Sequence, residues 1–227
     1  MGILTMAHTV AVMQPYFMPY LGYFRLLRDT DLFVIYDCVQ FPRRGYVHRN
    51  QVPDSSGNPV WLTLPLAKCD QKTAIADLQW RTQDLPAFSR QLTSLSRCWD
   101  IRASPDREEE WQAVLTDFSG GVVDYLERTL RWVCSCLDIP FRVIRSSSLD
   151  IDTGLKGQAR ILEICRRLNA SRYLNAPGGR ALYQDQDFAL AGVELTFLPE
   201  FSGSKWSMAY RLLAEDKSTL LDAMAAA

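Results

Sequence analysis

The stretch HTVAVMQPYFMPYLGYFRLLRDTDLFVIYD, residues 8–37, decides the fold. Its first piece, His8 to Met13, is short, β-branched and apolar, as a strand buried on both faces must be. Gln14 and Pro15 end it. The following QPYFMPY carries Pro15 and Pro19, which deny it a regular helix, whereas LGYFRLLRD sets Leu21, Phe24, Leu27 and Arg28 at helical spacing. Leu32 to Tyr36 is a second buried strand that closes at Asp37 and Cys38. Two apolar strands joined through a helix make a βαβ unit, so the spacing predicts a parallel pair with a right-handed crossover.

Outward from this unit, YVHRNQV, the turn residues Asp54 to Pro59 and VWLTLPL predict a β-hairpin. The chain from Ala67 to Pro105 has no sustained period and is expected to be irregular, with one helix near Leu85 to Cys98. Beyond it, Trp111, Leu115, Phe118, Val122, Tyr125, Thr129, Trp132 and Cys136 recur at steps of three and four, which predicts one long amphipathic helix or two broken at Gly120 and Gly121. The last third alternates. FRVIRSSSL is a strand, LKGQARILEICRRLNA a helix, SRYLNA a strand, GGRALYQDQDFALAG short helical turns, VELTFLP a strand and SKWSMAYRLLAEDKSTLLDAM one or two closing helices. This order predicts a three-layer α/β sandwich with a mainly parallel, five-stranded Rossmann-like sheet. A single domain over 1–227, with a β-hairpin insertion at about 40–105, is the expected organisation.

Composition excludes several classes of function. Lys+Arg of 25 against Asp+Glu of 26 leaves a net charge of −1, without the basic field of a general nucleic-acid binder. No apolar run is long enough to cross a bilayer, and MGILTMAHTV lacks the pattern of a secretory signal, so no membrane partner and a cytoplasmic location are expected. Six cysteines occur without a C-x-x-C pair, and two histidines give no closed ligand set, so neither disulfide nor metal is expected, and no cofactor is called for.

In an open parallel sheet, ligands bind beyond the carboxyl ends of the strands. Three segments are therefore expected at one crevice. After the first strand, Gln14, Tyr16, Tyr20 and Tyr23 offer amide and hydroxyl groups, and Gly22 permits close backbone approach, while Phe17, Leu21 and Phe24 are explained by core packing. After the second, YDCVQFPRRGYVHRNQ gathers Asp37, Cys38, Gln40, Arg43, Arg44, His48, Arg49 and Asn50; its arginines suit bidentate binding of phosphate or carboxylate. The third runs from Asn175 to Tyr183 and brings Gly178 and Tyr183. Cys38 and His48 would be brought close by the hairpin. A thiol beside an imidazole among cations has nucleophilic character, although free cysteine is also common packing material.

MQPYFMPYLGYFRLL, DLFVIYDCVQFPRRGYVHRNQV, VWLTLPL and YLNAPGGRALYQDQDFALAGVELTFLPEF together resemble the WbqC-like protein family over nearly the whole chain. The resemblance implies an enzyme of bacterial surface-polysaccharide or specialised-metabolite biosynthesis that acts on an activated sugar or amino-acid derivative. In the family's pattern a second acid or a Thr often follows Asp37, and Asn precedes Arg49; Cys38 and His48 stand there in this chain. The strand, the P-x-x-G-Y turn, and Ser202 to Ser207 opening the last helix are also similar in layout to HIGH-type nucleotidylyltransferases, with Tyr20 and Tyr23 near the places of the missing histidines.

The expected activity is acyl or aminoacyl transfer, including intramolecular cyclisation, on a small or carrier-bound amino-bearing substrate. In it Cys38 forms a thioester, His48 serves as base and then acid, and Asp37 or Gln40 orients the imidazole. Gln14, Tyr16, Tyr20, Gly22, Tyr23, Gln40, Arg43, Arg49, Asn50, Gly178 and Tyr183 would bind substrate. A nucleotide-dependent transferase without covalent intermediate, using Gln14, Lys205 and Ser207 for phosphates, is the alternative enzyme; a non-catalytic module for a sugar nucleotide or carrier protein is the third class.

Overall fold

The computed structural model describes residues 9–226. The opening strand, β1 (Thr9–Met13), passes through the proline-containing loop and a 3-10 turn, Leu21–Tyr23, into α1 (Phe24–Arg28) and returns as β2 (Leu32–Ile35). His8, expected to begin the first strand, lies outside the described residues. The pair is parallel, with Val10 opposite Leu32 and Met13 opposite Ile35, as the spacing predicts. A hairpin of β3 (Arg49–Pro53) and β4 (Pro59–Thr63) follows, then α2 (Leu85–Ser96), α3 (Pro105–Thr116) and α4 (Val122–Cys136). The long periodic stretch is thus two helices. They break at Gly120, whose φ of 76° is left-handed backbone that favours glycine, and at Gly121, the N-cap of α4. The remainder is β5 (Val143–Arg145), α5 (Gly157–Arg167), β6 (Arg172–Asn175), a 3-10 turn at Pro177–Leu182, α6 (Asp185–Leu190), β7 (Glu194–Phe197), α7 (Met208–Ala214) and α8 (Lys217–Ala225).

The sheet has five strands in the order β5-β2-β1-β6-β7, all parallel, and the β3-β4 hairpin stands apart from it. Alternation along the strands divides the core. Val10, Val12 and Val34 face a small cluster with Ile161, Ile164 and Cys165 of α5 and Phe188 of α6. Ala11, Phe33 and Ile35 face a larger one that takes in α1, α4 and α7 and also Leu62 of the hairpin and Phe88 of α2. Helices on both faces satisfy strands that are apolar on both sides, which gives the three layers. Among the described residues, no helix is long and apolar enough to cross a membrane.

β1 is central, with its parallel neighbours β2 and β6 on opposite sides of it. Their loops diverge there, and divergence at the carboxyl edge opens a crevice.

Candidate functional site

A cavity of about 560 Å³ occupies that divergence, lined by residues that follow β1, β6 and β7. From the first loop come Gln14, Tyr16, Tyr20, Gly22, Tyr23 and Arg25; from the turn after β6, Asn175, Gly178, Gly179 and Tyr183; from the end of β7, Pro199, Glu200 and Phe201. Tyr36, just beyond β2, joins them.

Two glycines shape these walls. A Cβ on Gly22 would stand 2.4 Å from Cε2 of Tyr20 and 2.7 Å from Cγ of Phe201, and one on Gly179 would stand 2.5 Å from Nδ2 of Asn175. Neither position can carry a side chain without moving a residue that lines the cavity. The first loop is held in an unusual conformation, with Met18 at φ 41°. Its carbonyl accepts from Ser207 Oγ at 2.6 Å and Asn50 Nδ2 at 2.8 Å, and Asn50 Nδ2 also reaches the Phe17 carbonyl at 3.1 Å. The hairpin and the start of α7 therefore brace the loop that walls the cavity.

The walls are rich in phenols. Tyr23 donates to the Gln14 carbonyl at 2.8 Å, and the Tyr173 and Tyr183 hydroxyls lie 3.3 Å apart. Burial raises the pKa of Tyr16, Tyr20, Tyr23 and Tyr36, so these hydroxyls keep their protons at neutral pH and act as hydrogen-bonding groups rather than bases. Tyr36 is also within electrostatic reach of Cys38, Arg160 and Tyr183.

Beside the cavity, at the end of β2, a second cluster closes the sheet edge. Asp37 is buried, and its carboxylate accepts from Ser146 Oγ at 2.9 Å, the Ser147 amide at 2.9 Å and Ser147 Oγ at 2.7 Å. Cys38 is half-buried; its sulfur lies 3.1 Å from Ser146 Oγ and 3.1 Å from Nη1 of Arg160. Arg160, on α5, is 6 % exposed and also donates to the carbonyls of Leu155, Asp152 and Thr153. It forms no ion pair with a carboxylate among the described residues, so the sulfur is the one group hydrogen-bonded to it there that can take negative charge.

Several sequence expectations are corrected by this arrangement. Cys38 and His48 make no hydrogen bond, because the intervening chain leaves the sheet: Gln40 bridges to Ala74, the Phe41 amide donates to the Thr73 carbonyl, and His48 packs edge-on against Phe41 at the start of the hairpin. Its Nδ1 is buried without a partner, and burial, with Arg49 adding repulsion, lowers its pKa to about 4. Asp37 is bound to serines and makes no hydrogen bond to an imidazole. Gln40, Arg43, Arg49 and Asn50 do not line the cavity. Arg43 donates to the Cys69 carbonyl at 2.6 Å, and Arg49 donates to the Arg44 carbonyl and lies over the Trp61 ring. Lys205 and Ser207, the alternative phosphate ligands, are taken up by the carbonyls of Phe201 and Met18. Gln14, Tyr16, Tyr20, Gly22, Tyr23, Gly178 and Tyr183 do share one cavity.

Arg25, Arg160 and Tyr36 escaped the sequence reading as site residues. A signal exists for both arginines: Arg25 follows the buried Leu21 by one helical turn, and Arg160 precedes the buried Ile164 by one. A charge so placed needs a partner inside the protein or a ligand.

Comparison with known proteins finds relatives of this sequence. The model of the WbqC-like protein family matches residues 14–211. The uncharacterized protein Rv1507c of Mycobacterium tuberculosis is 26% identical over 196 residues, which cover 83% of this chain and 80% of that protein. No solved structure matches the chain.

Proposed function

The chain belongs to the WbqC-like protein family, and from that premise we propose that it is a cytoplasmic enzyme of bacterial specialised-metabolite or surface-polysaccharide biosynthesis, binding a small amino-bearing substrate in the cavity between β1 and β6 and transferring or cyclising an acyl group through Cys38. The observation that carries this reading is the sulfur of Cys38, half-buried beside the cavity and hydrogen-bonded to a buried guanidinium that pairs with no carboxylate among the described residues. Such a guanidinium suits a sulfur that attacks as an anion. It takes over part of the role the sequence suggested for His48.

In the reaction the sulfur adds to an activated carbonyl, forming the C–S bond. The leaving group departs with its bonding electrons and takes a proton from solvent. Tyr36, a protonated phenol that lines the cavity and is within electrostatic reach of Cys38, is the group suited to donate a hydrogen bond to the carbonyl oxygen as it becomes negative. The substrate's amine then displaces the sulfur; a C–N bond replaces the C–S bond, the amine loses its proton to solvent and the sulfur returns to its starting state. Whether the acyl group arrives free or on a carrier, the substrate-binding residues are those of the cavity.

A second reading rests on the fact that Cys38 does not itself line the cavity. In that case the cavity serves a transferase that forms no covalent intermediate. Incubation with a panel of aminoacyl thioesters of N-acetylcysteamine, followed by intact-mass measurement, separates the two. The expected result is an acyl adduct that maps to Cys38, disappears in Cys38→Ser and forms more slowly in Arg160→Met. Product formation by Cys38→Ser at the wild-type rate would favour the non-covalent transferase, and ligand binding without turnover would favour a binding module.

A further inference from the structure

Arg25 lies on α1, is 2 % exposed, and lines the cavity between β1 and β6. Its Nη1 donates to the Pro199 carbonyl at 3.1 Å, but its buried Nε meets no acceptor. No carboxylate pairs with it among the described residues. The comparison with Arg211 is direct: that side chain is 3 % exposed and is chelated by Glu215 through two bonds of 2.6 Å. Removing a cation from water is costly unless an anion faces it, and a charge kept without one is kept for something that arrives.

We infer that Arg25 is the receptor for an anionic group, a carboxylate or a phosphoryl group, on the ligand that enters the cavity. A guanidinium with an idle donor on its fork is suited to two-point binding of either group. The rest of the cavity describes the ligand's body. Tyr16, Tyr20, Tyr183 and Phe201 offer ring faces and hydroxyls for a small organic body. Glu200, an exposed residue of the cavity wall in no ion pair among the described residues, acts on the Tyr20 hydroxyl in the sense opposite to Arg25. The cavity thus has a buried positive group and an exposed negative one. An anionic group is drawn inward, and an amino group on the same molecule is left toward Glu200. This inference rests on the reading of the cavity as the substrate site and extends it; it does not depend on Cys38.

Isothermal titration with benzoate, phenyl phosphate and the uncharged benzamide tests it, using the wild type, Cys38→Ser, Arg25→Met and Arg25→Lys. Wild type and Cys38→Ser are expected to bind at least one anion roughly ten- to a hundredfold more tightly than benzamide, the range that a charge-assisted hydrogen bond supports. The preferred anion tells carboxylate from phosphoryl. Arg25→Met should lose that preference while still binding benzamide, and should not melt earlier than the wild type, since it removes an unpaired buried charge. Arg25→Lys keeps the charge without the fork and should retain part of the preference, which keeps the test decisive should Arg25→Met fail to fold. Benzamide and the anions binding equally well, with affinities unchanged in Arg25→Lys and Arg25→Met, would overturn the anion receptor and leave the cavity standing as a site. Failure of the wild type to bind any of the three at millimolar concentration would overturn both.

Discussion

Cys38 meets Arg160 of α5 and Cys165 stands within the same helix, yet their surroundings are opposite. Cys165 sits in the small core, where burial pushes its thiol up to about 12; Cys134 and Cys136 of α4 are pushed up to about 12 and about 11 by the same cause. These three should resist iodoacetamide in the native protein at neutral pH. Cys98, exposed on the surface, should be labelled, and Cys38 should react at a rate that falls several-fold in Arg160→Met while that of Cys98 is unchanged. Peptide mapping of the alkylated protein reads all of these rates, and an unaltered Cys38 rate in the variant would sever the sulfur from Arg160. His48 gives a second prediction, with a definite sign. Its pKa is lowered from 6.5 to about 4 in the fold, so between those values the unfolded chain binds a proton that the native state refuses. The stability due to neutral His48 is complete above about pH 6.5 and is lost as the pH falls toward about 4. Urea titrations at pH 7 and pH 5 should show a smaller loss for His48→Gln than for the wild type. An equal loss would mean that the imidazole is protonated in the fold.

The amide of Asn50 ties the hairpin to the loop after β1 through two buried carbonyls. Asn50→Ala leaves the Phe17 carbonyl without this donor and Met18 with Ser207 alone, at a cost of about 1–3 kcal/mol, the usual cost of an orphaned buried group. Denaturant unfolding measures that loss, and ligand binding should weaken with it, since the same loop walls the cavity. A variant as stable as the wild type would show that water replaces the amide. The strands and helices were legible in the sequence because each is set by a local period: Val10 to Met13 and Leu32 to Ile35 by continuous apolar runs, and α4 and α5 by their stripes. The β1 and β6 loops were legible too, since position beyond a parallel strand follows from order alone. The chain between Cys38 and Asn50 was not. Arg43, Gln40 and Asn50 have the composition of a ligand loop, yet their partners, Cys69, Ala74 and Phe17, are set by long-range packing that no local period encodes. Arg160 was hidden for the same reason, as its contact with Cys38 spans 122 residues.

Across the whole molecule the large core is shared by the sheet and by the segment inserted after β2, with Leu62 and Phe88 in one cluster with Phe33 and Ile35. Indole nitrogens stitch distant segments together: Trp80 donates to the Gly120 carbonyl, Trp99 to Pro53 and Trp111 to Ala209. Tryptophan fluorescence and far-ultraviolet circular dichroism should therefore follow one coincident transition in urea. Separate transitions would mean that the insertion at about 40–105 is an independent folding unit. One wall of the cavity is encoded near the beginning of the chain, at Gln14 to Arg25, and the opposite wall only at Asn175 to Phe201. A nascent polypeptide can complete its first βαβ unit on the ribosome and still have nowhere to hold a ligand. Under the proposed function, occupancy of the cavity is open only to molecules translated through Phe201, and a ligand bound there would shield only those from degradation.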